Sequence, residues 1–110
     1  RSFEAYLSGS GSVSAGVDCD YFLAKILGSG EVAVGGVCGG AEVTLSGSGD
    51  FWGRDLNALE TDVEIKGSGD AEVWAEDYLK ATIMGSGDIR YRGTPAVDQS
   101  IFGSGRVRPM

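Results

Sequence analysis

Histidine is absent from this 110-residue chain. That removes the side chain most often used as a general base near neutral pH and as a zinc ligand, so Ser-His or Cys-His catalysis and imidazole-bound zinc are disfavoured. Basic residues are scarce as well: Lys and Arg total 9 against 16 Asp and Glu, a formal charge of -7. Nucleic acid is bound by neutralising its phosphates, so no nucleic-acid partner is expected, and a basic surface or a cation suits the chain better. No run approaches the roughly eighteen apolar residues of a membrane span, and the sequence opens at Arg1 without an initiator Met or the apolar core of a signal peptide.

Glycine is abundant instead, at 19 residues, but with no three-residue period, which excludes a collagen helix. The 42% hydrophobic content argues against disorder, and the length suits one domain. The glycines recur for another reason. Gly-Ser-Gly begins at Gly9, Gly28, Gly47, Gly67, Gly85 and Gly103, at intervals of 19, 19, 20, 18 and 18 residues. A period of this length is the signature of a solenoid. It divides the chain into a half coil over 1–8, coils starting at 9, 28, 47, 67 and 85, and a half coil over 103–110.

Counting from the first Gly, the fifth position holds Val13, Val32, Phe51, Ala71, Ile89 and Val107. Two residues before each motif stand Leu7, Ile26, Leu45, Ile65, Ile83 and Ile101, and two further back Ala5, Ala24, Val43, Val63, Ala81 and, as the polar exception, Gln99. With polar residues such as Lys25, Thr44 and Glu64 between them, the alternation has period two and reads as strand. The expected fold is all-β, a parallel β-solenoid of 18 to 20 residues per coil, with one strand entering and one leaving each motif. If the alternation runs through the motif, both of its glycines face inward as corner residues: Gly9 and Gly11, Gly28 and Gly30, Gly47 and Gly49, Gly67 and Gly69, Gly85 and Gly87, Gly103 and Gly105. The reverse arrangement, with Ser buried, is the alternative. An antiparallel sandwich also fits short strands, but gives no reason for one tripeptide at alternate connections.

Stacking turns the sequence into columns. Cys19 and Cys38 are each the eleventh residue of their coils and should sit one rung apart, within the Cα separation of a disulfide; the other reading is two stacked thiols. The fourth position places Glu31, Asp50, Asp70 and Asp88 in one column. These form either a Ca²⁺ site or a solvated acidic edge that blocks lateral pairing, and the edge is favoured because no second acidic column supplies the further oxygens calcium needs. As paired carboxylates for glycoside hydrolysis they are poor candidates, since acid and base need surroundings that differ. No catalytic residue and no cofactor is therefore expected. At the eighth position Arg54, Trp74 and Arg92 align, which places an outward Trp between two guanidinium groups. With Trp52 they form a structural ladder or a platform for a sugar ring.

The half coils at the two ends nearly complete one another. Arg90, Arg92, Arg106 and Arg108 crowd one end, and Glu4, Asp18 and Asp20 the other. End-to-end stacking into a homo-oligomer or filament is expected from this, the competing reading being a piece of a longer solenoid.

Gly-Ser-Gly-Asp at Gly47 to Asp50, Gly67 to Asp70 and Gly85 to Asp88, together with the closing segment Tyr91 to Gly105, resembles the bacterial auto-transporter adhesin head GIN domain family, DUF2807. The resemblance implies a parallel β-solenoid at the cell envelope or outside the cell, with an adhesive role and no catalytic residues to carry over. Ser12 and Glu31 in place of Asp, and the paired cysteines, depart from that pattern. The function expected is a cell-surface structural or adhesive module; a carbohydrate-binding or polysaccharide-cleaving β-helix is the alternative.

Overall fold

The computed structural model describes residues 2–109, and every secondary-structure element among them is a β-strand. In chain order they are β1 (Ser2–Gly9), β2 (Ser12–Gly28), β3 (Glu31–Gly47), β4 (Asp50–Gly67), β5 (Ala71–Gly85), β6 (Asp88–Arg92), β7 (Ala96–Phe102) and β8 (Arg106–Pro109). Every pairing is parallel, in the order β1-β2-β3-β4-β5-β6-β8, with β7 also on β5. This is the expected parallel β-solenoid. The strand content differs in one respect: each of β2 to β5 runs from one Gly-Ser-Gly to the next without a break, where two strands per coil were expected. Only the last coil is divided, into β6 and β7, at Gly93-Thr94-Pro95.

The inward rows are those the alternation defines. Ile26, Leu45, Ile65 and Ile83 are fully buried in register, and so are Ala24, Val43 and Val63 beside them. Each such Ile or Leu contributes on the order of 2 kcal/mol by leaving water. Gln99, the polar exception, pairs with Ala81 and is exposed on the outermost rung, where no further coil covers it. Phe3 of β1, Phe22 of β2 and Phe51 of β4 make a run of aromatic contacts, with ring centroids 5.7 and 6.2 Å apart.

The corner glycines divide their work, which corrects the expectation that both face inward. The first of each pair is exposed or half-buried and has positive φ, from 99° at Gly9 to 132° at Gly85, a region that L side chains avoid. Its carbonyl accepts hydrogen bonds from the next corner, as Gly28 O does from Ser48 N at 3.2 Å and Gly49 N at 2.9 Å. The second glycine is the buried one at Gly30, Gly49, Gly69, Gly87 and Gly105. A Cβ on Gly49 would stand 2.5 Å from the carbonyl oxygen of Gly30, and Gly69 and Gly87 have the same obstruction from the rung below. Gly11, with no Gly-Ser-Gly beneath it, is exposed. All six serines point outward.

A second corner forms where two consecutive residues face out, at Asp20-Tyr21, Gly39-Gly40, Leu59-Glu60 and Asp77-Tyr78. A further corner lies at Gly36-Val37 of β3, and another in β4. The residues from Gly53 to Leu56 lie opposite Val73 alone, between the pairs Trp52–Glu72 and Asn57–Trp74. Arg54 and Asp55 are pushed out while Leu56 turns in and is buried.

Replacing Gly69 by Ala forces a methyl group into the Gly49 carbonyl and should cost about 3 kcal/mol in urea unfolding. The same change at Gly11, whose nearest obstacle is the Leu7 side chain at 3.5 Å, should stay within about 0.5 kcal/mol. Equal losses at both sites would show that the close approach at the corner is not what selects glycine.

Candidate binding surface

The acidic column is a structural ladder. Asp50 Oδ1 accepts the backbone N–H of Asp70 at 3.1 Å, Asp70 Oδ1 that of Asp88 at 3.1 Å, and Asp88 Oδ1 that of Arg106 at 3.2 Å. Each carboxylate thus satisfies a donor in the coil above, just after the corner has broken the sheet ladder. A charged acceptor of this kind makes a stronger bond than a neutral one. Glu31 sits in the same register, but there the next N–H, of Asp50, bonds to the Gly30 carbonyl at 3.1 Å. Among the described residues no three His, Cys, Asp or Glu side chains converge as metal ligands.

Cys19 and Cys38 pair in register as expected, and in this structure both are free thiols. In-register parallel neighbours carry parallel Cα–Cβ bonds, so their Cβ atoms keep about the 4.8 Å strand spacing, just beyond the range of about 3.5 to 4.5 Å that a disulfide needs. Burial pushes the Cys38 thiol up to about 11, with the charge of Cys19 and a hydrogen bond to it adding to the effect.

The expected sandwich of Trp74 between two arginines is half realised. Arg92 covers the ring, its guanidinium carbon 4.2 Å from the centroid, and a contact of this kind adds roughly 0.5 to 1 kcal/mol at an exposed site. Arg54 is not opposite, because the extra residues of β4 put Asn57 in register with Trp74. Arg54 offers only its carbonyl to Arg92 Nη1, at 3.4 Å. Trp74 Nε1 donates to Glu76 at 2.6 Å, and Trp52 stands beside the Glu72–Arg90 ion pair of 3.5 Å in the adjacent column. The Trp74 face nearest Arg92 is thereby already occupied.

Sequence reasoning missed a cleft of about 210 Å³ on the other wall of the coil, at the second corner. The corner column runs Tyr21, Gly40, Glu60, Tyr78, and Gly40 has no side chain to fill its rung. Tyr21 leans into the gap: a Cβ on Gly40 would be 3.3 Å from its ring, and its hydroxyl donates to Glu42 at 2.5 Å. That bond, with burial and the charges of Glu42 and Asp62, pushes the Tyr21 hydroxyl up to about 12. Tyr78 leans the same way and donates to Asp98 at 3.1 Å. Asp62 and Lys80 line the cleft in the next outward column; burial raises the Asp62 carboxyl above its usual value, Lys80 opposes this, and Glu42 and Glu64 reinforce it. Thr61 forms part of the lining, is 3% exposed, and its Oγ1 has no partner. The signal in the sequence was Gly40 in a column otherwise bearing long side chains.

Two outcomes follow for these columns. Asp70→Ala leaves the Asp88 N–H without its acceptor and should destabilise by about 1 to 2 kcal/mol in chemical denaturation, with Asp70→Asn recovering much of the loss; no difference between the two variants would remove the ladder's role. Brief alkylation of the native protein at pH 8 should label half-buried Cys19 and spare Cys38, whose burial both shields it and disfavours its thiolate, so mass spectrometry should find one adduct before denaturation and two after.

The family DUF2807, "Putative auto-transporter adhesin, head GIN domain", matches residues 1–95. None of the curated proteins matches the chain. Among solved structures it is similar to a "Putative lipid binding protein" from Parabacteroides distasonis ATCC 8503, with 34% identity and a TM-score of 0.98 over 99% of this chain and 45% of that one. It is also similar to a "putative adhesin" from Parabacteroides merdae ATCC 43184, with 30% identity and a TM-score of 0.78 over 96% of this chain and 48% of that one. A second "putative adhesin" from P. distasonis ATCC 8503 has 26% identity and a TM-score of 0.78 over 99% of this chain and 56% of that one. The chain therefore spans about half the length of the solved structures it resembles. The repeated Gly-Ser-Gly-Asp corners, the parallel coil and a match over most of its length agree: the chain belongs to the DUF2807 head GIN domain family.

Proposed function

We propose that this domain is an extracellular, cell-envelope recognition module that adheres through the outer wall of its solenoid and catalyses no reaction. The observation that carries this reading is a core filled by stacked side chains beneath a wall with exposed aromatic and apolar groups. Tyr21, Tyr78, Leu59 and Val37 are each more than a third exposed on the coils, while the gap beneath Phe51, Leu56 and Trp74 has no room even for water. A ligand must then be met on the outside, including any lipid of the kind named for the P. distasonis relative. Family membership supports the adhesive role and the surface location. The Asp50, Asp70 and Asp88 carboxylates all make the same bond to the coil above, which suits a repeated structural part better than an acid and base pair.

Axial self-association belongs to the same proposal. The strands β1, β7 and β8 each pair on one side only, leaving backbone groups open at both ends of the described coil. Half-buried Val13 and Leu7 at one end and Val107 and Ile101 at the other would cover one another in a second copy stacked along the axis.

Beads coated with the domain should be retained under flow on host epithelial cells or bacterial surfaces, and retention no greater than that of uncoated beads would remove the adhesive reading. For the 110-residue chain, light scattering over a concentration series should show mass growing with concentration and falling as salt screens the contact between the Arg106–Arg108 end and the Glu4–Asp20 end. A constant monomer mass would remove the stacking.

A further inference from the structure

We propose that the cleft between Tyr21 and Tyr78 is a saccharide-binding site, the place on the wall where the adhesive domain holds a glycan. This rests on the recognition role proposed above and names the ligand chemistry and its residues.

The cleft is built by the fold. Three successive rungs put Gly40, Glu60 and Tyr78 at one corner position, with Tyr21 on the rung before them. The missing side chain at Gly40 opens the space, and the neighbouring rings border it. Both tyrosines are tethered by their hydroxyls to a carboxylate one rung further along the axis, Tyr21 to Glu42 and Tyr78 to Asp98. The tethers fix the ring orientations before any ligand arrives, so little side-chain freedom is lost on binding. The rings remain 43% and 37% exposed, which leaves aromatic surface for a ligand.

The polar groups between the rings are mixed in kind. The exposed Glu60 carboxylate makes no side-chain hydrogen bond or ion pair among the described residues; Asp62 adds a second carboxylate, and Lys80 an ammonium in the next rung. An anionic ligand would meet Glu60, Asp62, Glu42 and Asp98 with one Lys to oppose them. An acyl chain would strip water from carboxylates without replacing it. A compact cation would find carboxylates, but also the Lys80 ammonium beside them. A sugar meets all three features together: its C–H face packs on an aromatic ring, and adjacent hydroxyls donate to a carboxylate while accepting from an ammonium.

Thr61 lies beneath the cleft, between it and the closed gap of the core. In the inward column Phe22, Ala41, Thr61, Leu79 it is the single polar member, it borders the cleft, and its buried hydroxyl is unpartnered. A valine would fill the same volume without that cost.

The test is a glycan array with the purified 110-residue chain, followed by calorimetry with the best-bound oligosaccharide, and with oligolysine and phosphatidylcholine vesicles as the other probes. The array should give binding, and Tyr21→Ala and Tyr78→Ala should each weaken the bound oligosaccharide by roughly tenfold or more. Tyr21→Phe, which keeps the ring, should stay within roughly threefold, as should Tyr6→Ala in a different column. Circular dichroism and melting confirm that the variants fold. A silent array overturns the proposal, as does saccharide binding lost on Trp74→Ala but not on Tyr78→Ala. Oligolysine or vesicles bound in place of saccharide, with loss on Tyr78→Ala, would make the cleft a cation or lipid-headgroup site. Retention of beads on cells with a silent array sinks this site while leaving the adhesive role standing; array binding without retention does the reverse.

Discussion

At each Gly-Ser-Gly corner after the first, the backbones of successive coils approach more closely than any Cβ allows, and the winding of the chain depends on that approach. The first glycine makes the turn with a backbone angle other residues avoid, and its carbonyl receives the N–H groups of the corner above. The second, buried, lies against the carbonyl of its counterpart below. Because the corners stack at the strand spacing, every residue between them inherits a fixed rung, and the apolar rows that face inward need only to be apolar and of compatible volume. Val13, Phe51 and Ala71 occupy one such row despite very different sizes. Compensation is local, as where buried Leu56 supplements Phe51 in β4.

The repeat, the inward rows and the cysteine register are legible because they depend only on counting and on two-residue alternation. What escapes is whatever depends on local departures from the count. The Arg54 and Trp74 columns diverge because β4 spends three more residues than β5 between Trp52 and Asn57, and the sequence interval of 20 residues between the corners hides how that excess is placed. The acidic column was visible, but its purpose was not. A carboxylate beside like charges looks like a surface edge until its oxygen is seen on the N–H above. The cleft was hidden for a third reason: it is made by a side chain that is not there, at Gly40, and glycine in this sequence is otherwise a sign of corners.

The division of labour between the two faces of the strand explains why these patterns coexist. Inward positions are held to a row, while outward ones answer only to their neighbours in the column. Arg92 on Trp74 and Arg90 on Glu72 join the same two rungs in separate columns, and Tyr21 on Glu42 joins two others, each needing only adjacent rungs. A wall of this kind can change its chemistry at one height without disturbing the others.

The aspartate ladder gives the solenoid a direction. Each carboxylate serves the coil after its own, so the coils are coupled as shingles are, every one fastened by the one before. A length of chain cut from one Gly-Ser-Gly-Asp to the next carries away one donor and one acceptor together and leaves matching faces behind. The domain can therefore grow or shrink by whole coils, whereas a change of a few residues must be absorbed as an outward bulge such as that at Arg54 and Asp55. Reach along the axis is set in steps of one rung, and surface chemistry is set by the outward residues within it.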